Sequence, residues 1–161
     1  MIGGQKTSLF ILRVVVGWMF FFSGISKLLN PNWSAESYLT SAKTFHSFYA
    51  WLASPGISPF TNLLNEWGLT LIGIAVIFGI FVRPASFLGA LMMILYWFPI
   101  LDFPYPNPNS FIVDQHIIYS AAFLVLATCN AGMAYGFREK YEAVRGPSKY
   151  PRLRSWFEHL I

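Results

Sequence analysis

Four apolar runs, at about residues 8–29, 60–82, 85–101 and 112–134, leave the chain little length for anything else. Each is near the roughly 20 residues that carry an α-helix across a hydrocarbon core, with the third run short. A segment inside lipid has to satisfy its own backbone polar groups, and runs of this length do so as helices. Charged residues make up only 11% of the chain, against about 25% in an ordinary soluble domain. The expected fold class is therefore all-α, an integral membrane four-helix bundle. The first run is too long for a cleaved signal and is followed by no small-residue cleavage pattern, so it is expected to be retained.

The net charge of +4 would suggest nucleic acid in a soluble protein, but here the positions of the charges set topology. No nucleic-acid partner is expected; the lipid bilayer is. Lys6, Arg13, Arg83, Arg138, Lys140, Arg145, Lys149, Arg152 and Arg154 fall on one side, and only Lys27 and Lys43 on the other. That bias predicts a multi-pass protein of the cell membrane, with both termini cytoplasmic. Residues 1–137 then form the four-span domain and 138–161 a basic cytoplasmic tail. The tail is read as solvated; the alternative is contact with anionic headgroups through its basic residues and Tyr150, Trp156 and Phe157.

The first outer connection is long and carries helical periodicity. Tyr38, Leu39, Ala42, Phe45, Tyr49 and Leu52 share a face, with Ser34 as a cap and Ser54, Pro55 and Gly56 as a stop. This predicts one amphipathic outer surface helix over 34–53, capping the bundle. Ser58 and Pro59 open the second span, and Arg83–Pro84 marks a tight cytoplasmic hairpin between the second and third. Three prolines in residues 102–110 make the next outer connection an irregular, stiffened loop. Small residues four apart, such as Ala75 and Gly79 or Ala85 and Gly89, suit close helix packing.

Within the first span, Arg13, Gly17, Phe20, Gly24 and Lys27 lie in an arc of about 80°. A charge costs about 2.5 to 3.5 kcal/mol at the centre of a bilayer helix, so this stripe is expected to face protein. Arg13 and Lys27 are about 21 Å apart along the helix and belong to different sites. Arg13 is read as a structural cation, either snorkelling to inner headgroups or meeting an anion or helix-end carbonyls inside the bundle.

The other ionisable groups gather at the outer end. Asn62, Glu66, Thr70 and Gly73 form a polar stripe on the second span, and Glu66 is the expected ion-pair partner of Lys27. Structural and pocket roles for that pair stand side by side. If both were helical, Asp114 and His116 would point about 160° apart and could not line one wall. Asp114 is read as structural, placed where the helix dipole favours an anion. For His116, a proton-transfer role in a pocket and a satisfied buried histidine both stand.

Cys129 is the only cysteine, so no internal dithiol, haem-attachment or iron–sulfur spacing exists. His46, His116 and His159 have no partner of ligand type at helical spacing, and no metal site is expected. Any redox chemistry would have to come from a bound organic carrier, a substrate or another subunit. Trp18, Trp67, Tyr96, Trp97 and Tyr119 could flank a flat ligand or form interfacial belts.

The pattern Arg13-x-x-x-Gly17-x-x-Phe20-x-x-x-Gly24-x-x-Lys27, followed by Glu66-Trp67-Gly68, Gly73, Gly79 and Arg83-Pro84-Ala85, resembles the DoxX family of small four-helix membrane proteins. The segment Phe111–Tyr119, with Tyr135-Gly136, is similar to archaeal members. The resemblance spans roughly 8–137 and implies the fold above. Related DoxD proteins are membrane subunits of a thiosulfate:quinone oxidoreductase, and other members are redox-associated. The resemblance thus implies a quinone-interacting redox subunit, partnered by other membrane-complex subunits. In that case Glu66 and His116 would exchange protons and Lys27 would polarise a carbonyl oxygen, while Trp67, Thr70, Tyr119 and Ser120 would line a quinone pocket. The competing readings are a non-catalytic accessory subunit of a larger enzyme and, with no inverted repeat to support it, a small transporter.

Overall fold

Helix α1 (Gly3–Leu28) buries Arg13, Val16, Gly17, Phe20 and Gly24 and turns Ile11, Val15, Trp18 and Phe22 outward. The division follows the 3.6-residue period, so the cationic, glycine-bearing stripe faces protein as expected. A computed structural model describes residues 3–136, and the basic tail at 138–161 lies outside them. The remaining helices are α2 (Glu36–Thr40), α3 (His46–Leu52), α4 (Ser58–Phe78), α5 (Val82–Ile100) and α6 (Gln115–Thr128), with a 3₁₀ turn at Ala131–Met133. Among the described residues no strand forms. By length and composition α1, α4 and α5 can each cross a membrane; α6 is apolar but has only 14 residues.

Helix α1 packs chiefly on α4, and α5 on α6, while α4 and α5 meet along a thinner seam. Glycine makes the first contact possible. A Cβ on Gly73 would collide with the backbone of Phe21, and one on Gly24 with the backbone nitrogen of Thr70. The core between the helices holds Val16, Phe20, Leu69, Val76, Phe123 and Leu126. Phe20 and Phe123 meet edge to face with ring centres 4.5 Å apart, joining α1 to α6.

Several boundaries differ from the sequence expectation for physical reasons. The expected surface helix over 34–53 is two short helices, broken at Phe45, whose φ is 54°. Its apolar positions still face inward: Leu39, Ala42 and Tyr49 are buried in a small cluster with Phe98 packed against it. The α4–α5 hairpin turns at Gly79–Phe81 rather than at Arg83–Pro84. Gly79 takes the left-handed conformation at the end of α4 (φ 74°), and Pro84 fits the first turn of α5, where backbone N–H groups need no helical partner. The fourth apolar run, expected over 112–134, is regular helix only from Gln115 to Thr128. Asp114 is extended and Ile112 and Asn130 are left-handed, which closes the helix at both ends.

The C-terminal end of α5 is held by the α2–α3 segment. Pro99 lies inside α5 and has no N–H for the carbonyl of Leu95, four residues earlier. The Tyr49 hydroxyl donates to that carbonyl at 2.8 Å. Tyr38 donates to the carbonyl of Tyr96, the Lys43 N–H to that of Pro99, and the Thr44 hydroxyl to that of Leu101. Both the Tyr49 and the Tyr38 phenols are pushed up to about 12, by burial first of all and, for Tyr38, also by the neighbouring Tyr49 and Asp114. At neutral pH both are therefore donors.

At the opposite end, Arg13 is 1% exposed and its Nη1 donates to the carbonyl of Ala131 at 2.8 Å. This guanidinium occupies space that only Gly79 and Gly136 leave open, and its Nε is buried without a partner. Of the readings open to Arg13, the structure forms the contact with helix-end carbonyls inside the bundle.

Candidate functional site

Asp114, the residue just before α6, is extended, with φ −125° and ψ −170°. Its Oδ1 accepts from the backbone N–H of His116 at 2.9 Å and, more weakly, from that of Ile117 at 3.4 Å, which is N-cap bonding. The extended backbone swings its other oxygen over the first turn, and Oδ2 lies 2.7 Å from Nδ1 of His116. The expectation that these two side chains diverge by about 160° is overturned, because it assumed both to be helical. Asp114 caps α6 with one oxygen and positions the imidazole with the other. With Nδ1 taken, Nε2 is the ring nitrogen left for other partners.

Asp114 and His116 line an open cleft of about 690 Å³ where α5 ends and α6 begins, together with Tyr38, Asn107, Ser110 and Gln115 and the apolar Ile100 and Pro106. The loop that completes it is tied down: bridges pair Asp102 with Tyr105 and Asn107 with Ser110, and the Trp97 indole N–H donates to the Ile112 carbonyl at 3.0 Å. Lys43 and Asp102 pair at 3.0 Å on the exposed rim. Among the described residues no lysine or arginine lines the cleft, and both oxygens of its carboxylate are already engaged. The chemistry on offer is neutral hydrogen bonding plus one imidazole held by a carboxylate, which suits an uncharged carbonyl or hydroxyl group.

Behind the cleft stands Tyr96. Its ring meets Tyr38 and His116 edge to face, at 6.1 and 6.3 Å between centres. Its hydroxyl is buried without a hydrogen-bond partner, as is Oδ1 of Asn65 on α4.

The other expected site residues do not join this cleft. Lys27 donates to the Ser23 carbonyl and hydroxyl at 3.1 and 3.0 Å and lies 5.4 Å from the Trp33 ring centre. The expected Lys27–Glu66 ion pair is not formed: among the described residues Glu66 makes no salt bridge, although its charge acts on Lys27 through space. Ser23, one turn back on the same helix, supplies the nearer acceptors. Thr70 is buried in the α1–α4 contact and donates to the Glu66 carbonyl at 2.8 Å, and Ser120 donates to the Ala90 carbonyl at 3.3 Å. Tyr119 packs against the core, and Trp67 is 47% exposed on the outer side of α4. The four residues expected to line one quinone pocket therefore face different surroundings.

Sequence reasoning missed Tyr38, Asn107, Ser110, Gln115 and Asn65. Only Gln115 carried a usable signal, sitting between Asp114 and His116; the rest come together through loop folding or face an unexpected neighbour. Among the described residues no three His, Cys, Asp or Glu side chains converge as metal ligands. Comparison with curated proteins and with solved structures finds no match. The family model that does match is DoxX, over residues 8–101, and the chain belongs to that family of membrane proteins.

Proposed function

We propose that this protein is a redox-associated membrane subunit whose outer cleft handles protons for a lipid-soluble quinone. The observation that carries the reading is the Asp114–His116 pair, 2.7 Å apart on the wall of an otherwise uncharged cleft. Quinone, when bound, supplies a two-electron carrier whose carbonyl oxygens gain protons on reduction; the electrons would come from a sulfur compound or a partner subunit. Asp114 holds the His116 ring in one orientation through the 2.7 Å contact at Nδ1. His116 moves a proton at Nε2, and Asn107, Ser110 and Gln115 are available to orient an uncharged head group. Lys27 and Glu66, on the α1–α4 face, are a second candidate position for charge stabilisation and proton exchange.

In this proposal α6 and the 3₁₀ turn after it form the fourth span of a four-helix bundle, both termini are cytoplasmic, and the cleft opens on the outer side. The nine-to-two division of Lys and Arg supports that orientation. A second reading, an accessory subunit of a larger membrane enzyme, draws support from Phe45, Phe48 and Trp51, all exposed on and beside α3. Gentle solubilisation with identification of every copurifying quinone and protein separates the two. Extractable quinone, and its loss in His116→Ala, is the expected result; stoichiometric partners without quinone would favour the accessory role.

A further inference from the structure

The exposed side chains of α3 fall on two flanks of different character. Tyr49 is the buried position of this helix and turns towards α5. At about 100° per residue, Phe48, Trp51 and the half-buried Leu52 lie on one side of the outward arc, and His46, Ser47 and Ala50 on the other. Phe48 and Trp51 are 45% and 55% exposed, and their rings form one patch with centres 6.2 Å apart. His46 and Ser47 are exposed as well. A helix standing in water would hold that aromatic patch in an unfavourable solvent, and one sunk in lipid would desolvate the polar flank. The boundary between lipid and water suits both.

The depth of α3 agrees. Tyr49 bonds the Leu95 carbonyl, five residues before the end of α5 and so about 7 Å short of it. With 19 residues α5 is about 28 Å long, close to the roughly 30 Å of a hydrocarbon core. The short helix therefore lies beside the last turns of α5, at the level where that helix leaves the hydrocarbon. At its C-terminal end α3 meets α4, where the Thr61 hydroxyl donates to the Leu52 carbonyl at 3.1 Å and Phe60, Leu63 and Leu64 are exposed. Between Lys43 and Glu66 the chain carries no Asp, Glu, Lys or Arg. The apolar surface thus continues from α3 onto a helix able to cross a membrane, without the polar rim usual at a protein interface.

We propose that α3 is an interfacial helix whose Phe48 and Trp51 rings insert at the headgroup–acyl boundary of the leaflet at the C-terminal end of α5, with His46 turned to water. The partner is the lipid surface, bound by apolar burial and by the preference of tryptophan for that depth. The inference is independent of the cleft and of the quinone reading.

The test attaches a nitroxide label at single positions of the full chain in a Cys129→Ser background, in phosphatidylcholine nanodiscs. It compares collisions with oxygen, which concentrates in lipid, against collisions with a water-soluble nickel chelate. Labels at Phe48→Cys and Trp51→Cys are expected to favour oxygen, and a label at His46→Cys, on the same helix, to favour nickel. All three side chains are exposed, so melting temperatures should match that of the Cys129→Ser parent; with two aromatic positions probed, loss of one variant leaves the other to decide. Nickel access as high at 48 and 51 as at 46 overturns the proposal, because α3 then stands in water. Low collision rates with both reagents at 48 and 51 overturn it as well, since they mark a protein surface, such as a second copy of the chain, seated on the rings.

Discussion

The Asp114 carboxylate divides its oxygens between folding and chemistry, Oδ1 capping α6 and Oδ2 lying 2.7 Å from Nδ1 of His116. The two roles separate by substitution. Asparagine caps helices about as well as aspartate, so Asp114→Asn should leave the melting temperature nearly unchanged. Its amide N–H would face Nδ1, however, and favour the wrong tautomer. Quinone-linked turnover should then fall by a factor on the order of 10² to 10⁴. Asp114→Ala should lose the same activity and about 1 kcal/mol of stability as well. Full turnover in the folded Asn variant would remove the pair from the mechanism.

Arg13 is expected to matter for stability rather than turnover. Its guanidinium ties α1 to the turn after α6 through the Ala131 carbonyl, in space kept open by Gly79 and Gly136. Arg13→Ala removes a charged hydrogen bond and leaves a cavity, and should cost about 3 kcal/mol. Hydrogen exchange should rise selectively around residues 129–136. Uniform exchange and an unshifted unfolding curve would show that the tie is idle.

What the sequence made legible is what periodicity reports. The stripe of Arg13, Gly17, Phe20 and Gly24 was readable as a protein-facing surface because helix geometry alone fixes it, and the inward face of Leu39, Ala42 and Tyr49 survived the break in their helix. Periodicity fails where a residue leaves the helix. Asp114 is extended, so angles counted along a helix misplace it relative to His116. Phe45 breaks α2 from α3 without a glycine or proline to announce it. The Lys27–Glu66 pairing failed for another reason: charge complementarity between helices competed with acceptors on Ser23, one turn away on the same helix. The cleft itself needs Asn107 and Ser110 from a loop, and no pattern along the chain marks how that loop folds.

The glycines of the α1–α4 contact should behave differently from a glycine of α4 that faces α5. Gly73→Ala places a methyl against the backbone of Phe21, which cannot give, so the two helices must separate at a cost of about 1 to 3 kcal/mol. Gly68→Ala meets only the flexible end of Met92, at 3.5 Å, and should be neutral or slightly stabilising. Denaturation of the two variants under the same conditions checks the contrast. Equal behaviour would mean that the close approach of α1 and α4 contributes little.

Stability should also respond to alkali through Tyr38 and Tyr49. Both phenols ionise near 12 in the folded protein, above the ordinary value of about 10. A folded pKa above the unfolded one gives stability that is whole below about pH 10 and is lost as the pH rises towards 12. Melting temperatures should therefore be flat in these groups from acid to pH 9 and fall beyond. In the Tyr38→Phe/Tyr49→Phe double variant the alkaline fall should be shallower, and an unchanged slope would assign it to other groups.

The bond from Tyr49 to the Leu95 carbonyl exists because Pro99 withholds the helical donor, and a double-mutant cycle can show this. In wild type, Tyr49→Phe removes the donor from a carbonyl that the residue four on cannot bond, and should cost about 1 to 3 kcal/mol. Pro99→Ala restores an N–H at the position from which α5 would bond Leu95 itself. In that background Tyr49→Phe should cost much less, since the carbonyl is satisfied within the helix and only the phenol loses its acceptor. The coupling between the two positions should thus be on the order of 1 kcal/mol, well above the few tenths found between independent sites. If the two losses simply add, the tyrosine does not replace the missing N–H, and α2–α3 is held on α5 by its buried cluster alone.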